Sequence, residues 1–174
     1  MQKTKNKTNL VWFKNDLRTE DNEVLYNACR GNDRVIGIYC LDPRHFMTSQ
    51  FGFLKTEKFR AQFLLESLTD LKSNLFKLNI DLLVYLDRPE SIIPQICETY
   101  KINHIYFQKE WTEEEKNIEQ VTKTKLPNIS WTSFYNQFLY HPGDINFEIE
   151  KIPQVFTVFR KKIEKYIDVR TLLI

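Results

Sequence analysis

The first residues able to do chemistry are Lys14-Asn15-Asp16-Leu17-Arg18, set directly after the apolar run Leu10-Val11-Trp12-Phe13. Polar groups placed at the carboxyl end of a buried strand are how open α/β sheets present functional side chains. The bland reading of the same loop is a salt-bridged connection in which Asp21 and Asn22 satisfy the next helix, with Arg18 pairing to an acid across the sheet. Lys109-Glu110-Trp111 is a second such stretch. A carboxylate beside an aromatic can accept hydrogen bonds from the amino and ring N–H groups of a heteroaromatic ring such as a pterin. It can equally be spent internally, on Lys14 or Arg18. Asp42-Pro43-Arg44 suits contact with a ribose or phosphate, or only a turn.

Other chemistries are excluded by spacing. No G-x-G-x-x-G follows the first strand and no G-x-x-x-x-G-K-[ST] occurs, which argues against a Rossmann dehydrogenase or a P-loop NTPase. His45, His104 and His141 stand alone, and Cys29, Cys40 and Cys97 are far apart, so no metal site or disulfide framework is expected. There is no serine elbow and no paired-cysteine redox motif. The formal charge of +2 lacks the dense basic stripe of a nucleic-acid-binding domain. Residues 1–8 read as a basic, solvated tail with no apolar h-region, and no run is long enough to span a membrane. A cytoplasmic, reducing compartment is the expectation.

The elements that must position these groups can be read from period and punctuation. The 174 residues, 42% of them hydrophobic, suffice for one domain with a real core. Thr8 to Phe13, Arg34 to Leu41, Ile80 to Leu86, His104 to Gln108 and Ile129 to Phe134 read as strands. Helices are expected from Asn22 to Arg30 with Asp21 as N-cap, from Lys55 to Asn79, from Pro89, from Thr112 through Lys123 behind a capping box, and from Val155 to Ile167. The long helix carries Phe59, Phe63, Leu64, Leu68, Leu71, Leu75 and Leu78 as its apolar side. Strands alternating with helices imply α/β: a Rossmann-like three-layer sandwich around a five-stranded parallel sheet of order 3-2-1-4-5. The first and fourth strands would then be neighbours, and the loop from Lys14 to Asp21 would face Gln108 to Thr112.

The motifs in order carry a resemblance. VWFKNDLRTEDN resembles the opening V-W-F-R-x-D-L-R-x-x-D-N of the DNA photolyase/cryptochrome family. IYCLDPRHF, Lys55-Thr56, RAQFLLESLTDLK, DLLVYLDRPE, YFQKEWTEEE, LPNISW with LYHPGDI, and IPQVFTVFRKKIE are similar to the DASH-type cryptochromes within it. Departures are small: Lys14 replaces Arg, Glu57-Lys58 replaces a Gly-containing pair, and Leu54 stands where Pro is common.

The resemblance implies an N-terminal antenna domain over 9–150. Residues 151–174 would supply a C-terminal helix and the start of a linker to an FAD-binding helical domain outside this chain. The implied antenna chromophore is methenyl-tetrahydrofolate, with FAD only in that other domain. Glu110 and Lys109 would hold the chromophore, with Lys14, Asn15, Arg44 and Phe46 as further candidates. No catalytic residue and no metal ligand is implied here. The full-length parent would be a lyase repairing pyrimidine dimers in DNA under blue light, with the helical domain and dimer-containing DNA as partners and no membrane. Two other classes remain open: a nucleotide-binding module like those of universal stress proteins and electron-transfer flavoproteins, or an interaction domain using Phe46, Phe51 and Phe53.

Overall fold

The computed structural model describes residues 7–31, 33–145 and 147–173. Five strands, β1 (Thr8–Phe13), β2 (Arg34–Cys40), β3 (Asp81–Tyr85), β4 (Ile102–Gln108) and β5 (Ser130–Phe134), form one sheet in the order β3-β2-β1-β4-β5. Every pairing is parallel. The expected fold class and strand order are therefore observed. β1 is buried along its length because it lies at the centre, with helices on both faces.

The helices are α1 (Glu23–Ala28), α2 (Lys58–Lys77), α3 (Pro89–Tyr100), α4 (Glu113–Thr124) and α5 (Phe156–Tyr166). Alternation along β1 divides the interior in two. Val11 and Phe13 point to a core with Val24, Leu25 and Ala28 of α1 and Leu68, Leu71 and Leu75 of α2. Leu10 and Trp12 point the other way, to Ile92, Ile93 and Ile96 of α3 and to Ile105 and Phe107 of β4. Gly37 faces the first core where space is short: a Cβ there would stand 3.0 Å from the Phe13 ring and 3.1 Å from Leu82 Cδ1.

Three expectations about helix ends and faces are corrected. Asn22, not Asp21, caps α1, its Oδ1 accepting the Leu25 N–H at 3.0 Å. Asp21 instead sits in the left-handed region with φ 46°, where its carbonyl accepts from Arg18 and Asn136. α2 starts at Lys58 rather than Lys55, and Phe59, Phe63 and Leu78 at its ends are exposed while Leu68, Leu71 and Leu75 bury. The helix is longer than the sheet it packs on, so its apolar period outruns its buried face. In α5, Ile163 is buried and Ile167 just beyond it, whereas Phe156 is exposed.

Pro94 lies inside α3 and removes the N–H that would bond the Glu90 carbonyl. Lys125 Nζ donates to that carbonyl at 2.8 Å and repairs the loss. The segment between β2 and α2 contains a 3-10 turn over Pro43–Phe46 and a small hairpin closed by the Thr48–Leu54 bridge. Gly52 makes the hairpin's bend at φ 83°. Residues 1–6 of the expected tail, and Asn32, lie outside the described residues.

Candidate functional site at the carboxyl ends of β1 and β4

Central placement of β1 brings its following loop against the end of β4, as the strand order requires. Asp16 organises that loop. It is fully buried, and its Oδ1 accepts the Lys14 N–H at 3.0 Å while its carbonyl accepts the Arg18 N–H at 2.7 Å. Asn22 Nδ2 donates back to the carbonyls of Asp16 and Arg18. Asp16 Oδ2 has no partner among the described residues, and burial pushes the carboxyl above its ordinary range.

Lys14 runs from this loop under α4. Its Nζ donates to the Gln108 carbonyl at 3.3 Å, lies 3.7 Å from Glu119, and sits 4.5 Å above the Trp12 ring and 4.7 Å above Phe107. Lys123 bonds the same Glu119 at 2.6 Å. Burial lowers the Lys14 ammonium below its usual value, with Glu119 pulling the other way.

Glu110 is only 5% exposed. Its Oε1 accepts from Asn15 Nδ2 at 3.1 Å and from Gln108 Nε2 at 3.4 Å, and its Oε2 accepts from Gln137 Nε2 at 3.1 Å. The partners are thus amides rather than Lys14 or Arg18. Burial raises the Glu110 carboxyl, helped by the neighbouring Glu115. A carboxylate has about four acceptor sites, so one on Oε2 is left for an outside donor. Lys109 stands alongside with its Nζ 4.7 Å over the Tyr135 ring, and Tyr135 stacks on Trp111 at 4.9 Å.

Beside this nest opens a cavity of about 780 Å³. Lys14, Asn15 and Phe46 line it, as do Asp42, Tyr39, Phe53, Lys55, Thr56, Arg60 and Phe63. Glu110, Lys109 and Arg44 are not among its lining residues. Arg44 is committed elsewhere: its guanidinium forks onto the Asp42 carboxylate and reaches Glu90 at 2.9 Å, holding Asp42 below its ordinary value despite burial. The chemistry-bearing residues therefore fall into two adjoining groups, an acid nest and a cavity, joined through Lys14 and Asn15.

Gln137 and Arg60 were not anticipated. Gln137 comes from the irregular stretch after β5, where neither period nor motif marks a contact. Arg60 reads in the sequence as one more charge on a helix. The groups that could be charged in the cavity include no set of three His, Cys, Asp or Glu able to hold a metal among the described residues.

The family model for DNA photolyase matches residues 9–172. A cryptochrome DASH of Gloeobacter violaceus is 45% identical, over 91% of this chain and 32% of its own length. The cryptochrome DASH of Solanum lycopersicum, named as chloroplastic/mitochondrial, is 37% identical over 89% of the chain and 30% of its own length. The crystal structure of a Synechocystis cryptochrome superposes with a TM-score of 0.91 at 38% identity, covering 96% of this chain and 35% of that one. An archaeal photolyase of Sulfolobus tokodaii, described with two FAD molecules, superposes with a TM-score of 0.79. At 23% identity that likeness speaks for the fold alone. The chain spans about a third of the length of these relatives.

Proposed function

The chain belongs to the DNA photolyase family, and from that premise we propose that it is the antenna-chromophore domain of a deoxyribodipyrimidine photolyase of the cryptochrome DASH type. The observation that carries this is the match along residues 9–172, which includes the loop after β1 and the acid closing β4. The two other classes, a nucleotide-binding module and a stand-alone interaction domain, gain no support from these likenesses. The whole parent would repair cyclobutane pyrimidine dimers in DNA, with a helical FAD-binding domain as the partner of this one. A cytoplasmic location accompanies the reading.

Methenyl-tetrahydrofolate is the proposed antenna. When bound, it absorbs near-UV light and passes excitation to the flavin. The residues present fit such a group. The remaining acceptor site on Glu110 Oε2 suits a ring amino or N–H donor, and its raised carboxyl is held ready by three amides rather than by a cation. Lys109 and the Trp111–Tyr135 stack supply a charge and an aromatic surface beside it. Lys14, Asn15 and Phe46 supply one wall of the adjoining cavity, whose volume lies within the range of small-molecule sites. Arg44 is given a supporting part, since it fixes Asp42, which lines the cavity.

Titration of methenyl-tetrahydrofolate into the wild type and Glu110→Gln, followed by near-UV absorbance, tests the reading. Saturable binding by the wild type and about tenfold weaker binding by the variant are expected, because one charge-assisted hydrogen bond is lost. Equal affinity would remove Glu110 from the site, and no binding by either would remove the folate.

A further inference from the structure

The oxygen of Glu110 with an acceptor site to spare is Oε2, and the side chain that fixes it is Gln137. Its Nε2 donates to Oε2 at 3.1 Å and to the Lys109 carbonyl at 2.8 Å. Gln137 stands after β5 in a stretch with no helix or strand, so no ladder sets the direction of its side chain. The other two amides on Glu110 are placed by regular means. Gln108 ends β4, and Asn15 lies in the turn that Asp16 closes by accepting the Lys14 and Arg18 N–H groups.

What holds Gln137 is found one residue earlier. Asn136 Nδ2 donates to the Asp21 carbonyl at 3.0 Å, and the Asn136 carbonyl accepts from Arg18 Nη2 at 3.1 Å. Arg18 closes the ring, its Nη2 and Nε donating to the same Asp21 carbonyl at 3.0 and 3.3 Å. Among the described residues the Arg18 side chain therefore gives its hydrogen bonds to main-chain carbonyls and none to a carboxylate. A planar guanidinium can hold carbonyls of two segments at a set angle, which an ammonium on a flexible stem cannot. Asp21 is anchored in turn. Its left-handed conformation, φ 46°, is held by a two-way pairing in which the Leu173 carbonyl accepts the Asp21 N–H at 3.1 Å and the Leu173 N–H donates to Asp21 Oδ1 at 3.2 Å. Arg170 pins the same terminal segment by forking onto Asp144 at 2.6 and 2.7 Å.

We propose that Arg18 is a positioning residue: with Asn136 it locks the stretch after β5 onto the loop after β1, and so aims Gln137 at Glu110 Oε2. It acts on Glu110 through Gln137 and not by contact. Without the fork, Oε2 loses its fixed partner while Oε1 stays on Asn15. The bearing of this device on a chromophore rests on the antenna reading, but its geometry can be tested in the free chain.

The test follows the side-chain NH2 groups of Asn15 and Gln137 by ¹H–¹⁵N NMR as the full chain is titrated from neutral pH into acid. Both donate to Glu110, so both should shift with one midpoint, above the ordinary carboxylate range because burial raises the group. Lys14 and Glu115 also act on Glu110, and Glu110→Gln should abolish the midpoint if it is not that of Glu115. In Arg18→Lys, which keeps the charge and loses the fork, the Gln137 signal should lose the midpoint while the Asn15 signal keeps it. Asn136→Ala, which removes the donor to Asp21 from the other side, should do the same. Gln137 still tracking Glu110 in Arg18→Lys would overturn the proposal, as would a midpoint that survives Glu110→Gln. An equal loss at Asn15 and Gln137 would also overturn it, marking Arg18 as a residue of the fold at large. Arg18 is exposed, so its variant is expected to keep the dispersed spectrum of the folded chain. If the folate titration fails while Gln137 behaves as expected, the antenna reading falls and the positioning role stands. If folate binds and Gln137 is indifferent to Arg18, the reverse follows.

Discussion

At the scale of single residues, burial rather than charge count governs the loop after β1. Asp16 is fully buried with one oxygen unpartnered, and its carboxyl is raised mainly by desolvation. A raised carboxyl in the folded state means that the unfolded chain releases its proton first as pH rises. Stability from this group is then fully present below the unfolded carboxylate range and is lost as pH climbs through the folded value. Asp16→Asn keeps an acceptor for the Lys14 N–H and carries no charge. Thermal melts should therefore show the variant gaining on the wild type at neutral pH, with the gap closing on acidification below about pH 4. A gap that widened in acid would reverse the sign assigned here. Gly37 makes a second residue-scale prediction. With a Cβ 3.0 Å from the Phe13 ring and 3.1 Å from Leu82, Gly37→Ala should lose about 1–3 kcal/mol in urea unfolding.

At the scale of elements, α2 shows how far a periodic pattern can be trusted. Its apolar residues recur at three- and four-residue steps from Phe59 to Leu78, yet only the middle of that stripe meets the sheet. Leu71 is 1% exposed and Phe59 is 82% exposed. Leu71→Ala should cost about 2–5 kcal/mol. Phe59→Ala should change stability by less than about 0.5 kcal/mol, although it removes the larger side chain. Denaturant midpoints for the pair decide between a helix packed along its whole length and one packed only at its centre. The same reasoning applies at helix starts: α4 is sealed by the Thr112 capping box and three acids, while α2 begins open.

At the scale of the whole molecule, β1 couples everything. Its even and odd side chains belong to separate cores, and its end meets the acid nest and the cavity together. Two cores sharing a central strand should not melt apart. Urea unfolding followed by far-UV circular dichroism and by the fluorescence of Trp12, Trp111 and Trp131 is expected to give one coincident transition. Separate midpoints would show that the helical layers unfold independently. Among the described residues no helix is long and apolar enough to cross a membrane.

Much of this was legible in the residues themselves. Strand and helix order follow from local periods of two and 3.6, and right-handed crossovers then leave few sheet orders, so 3-2-1-4-5 could be read before any coordinates. The neighbourhood of Asn15 and Glu110 follows from that order, because β1 and β4 must lie side by side. What period and motif could not reach were the contacts made by side chains from irregular segments or from exposed helix turns. Gln137 bonds Glu110 from a stretch with no pattern, and Asp21 takes a left-handed conformation that Asp and Asn share at turns. Sequence alone thus determined the family, the sheet and the strand ends at which the polar groups gather. Only the tertiary structure decided which of those groups are spent on one another. Partnering depends on distances between segments far apart in the chain, and these exist only once the core has closed. That accounting commits Arg44 and Lys14 and nests Glu110 among amides.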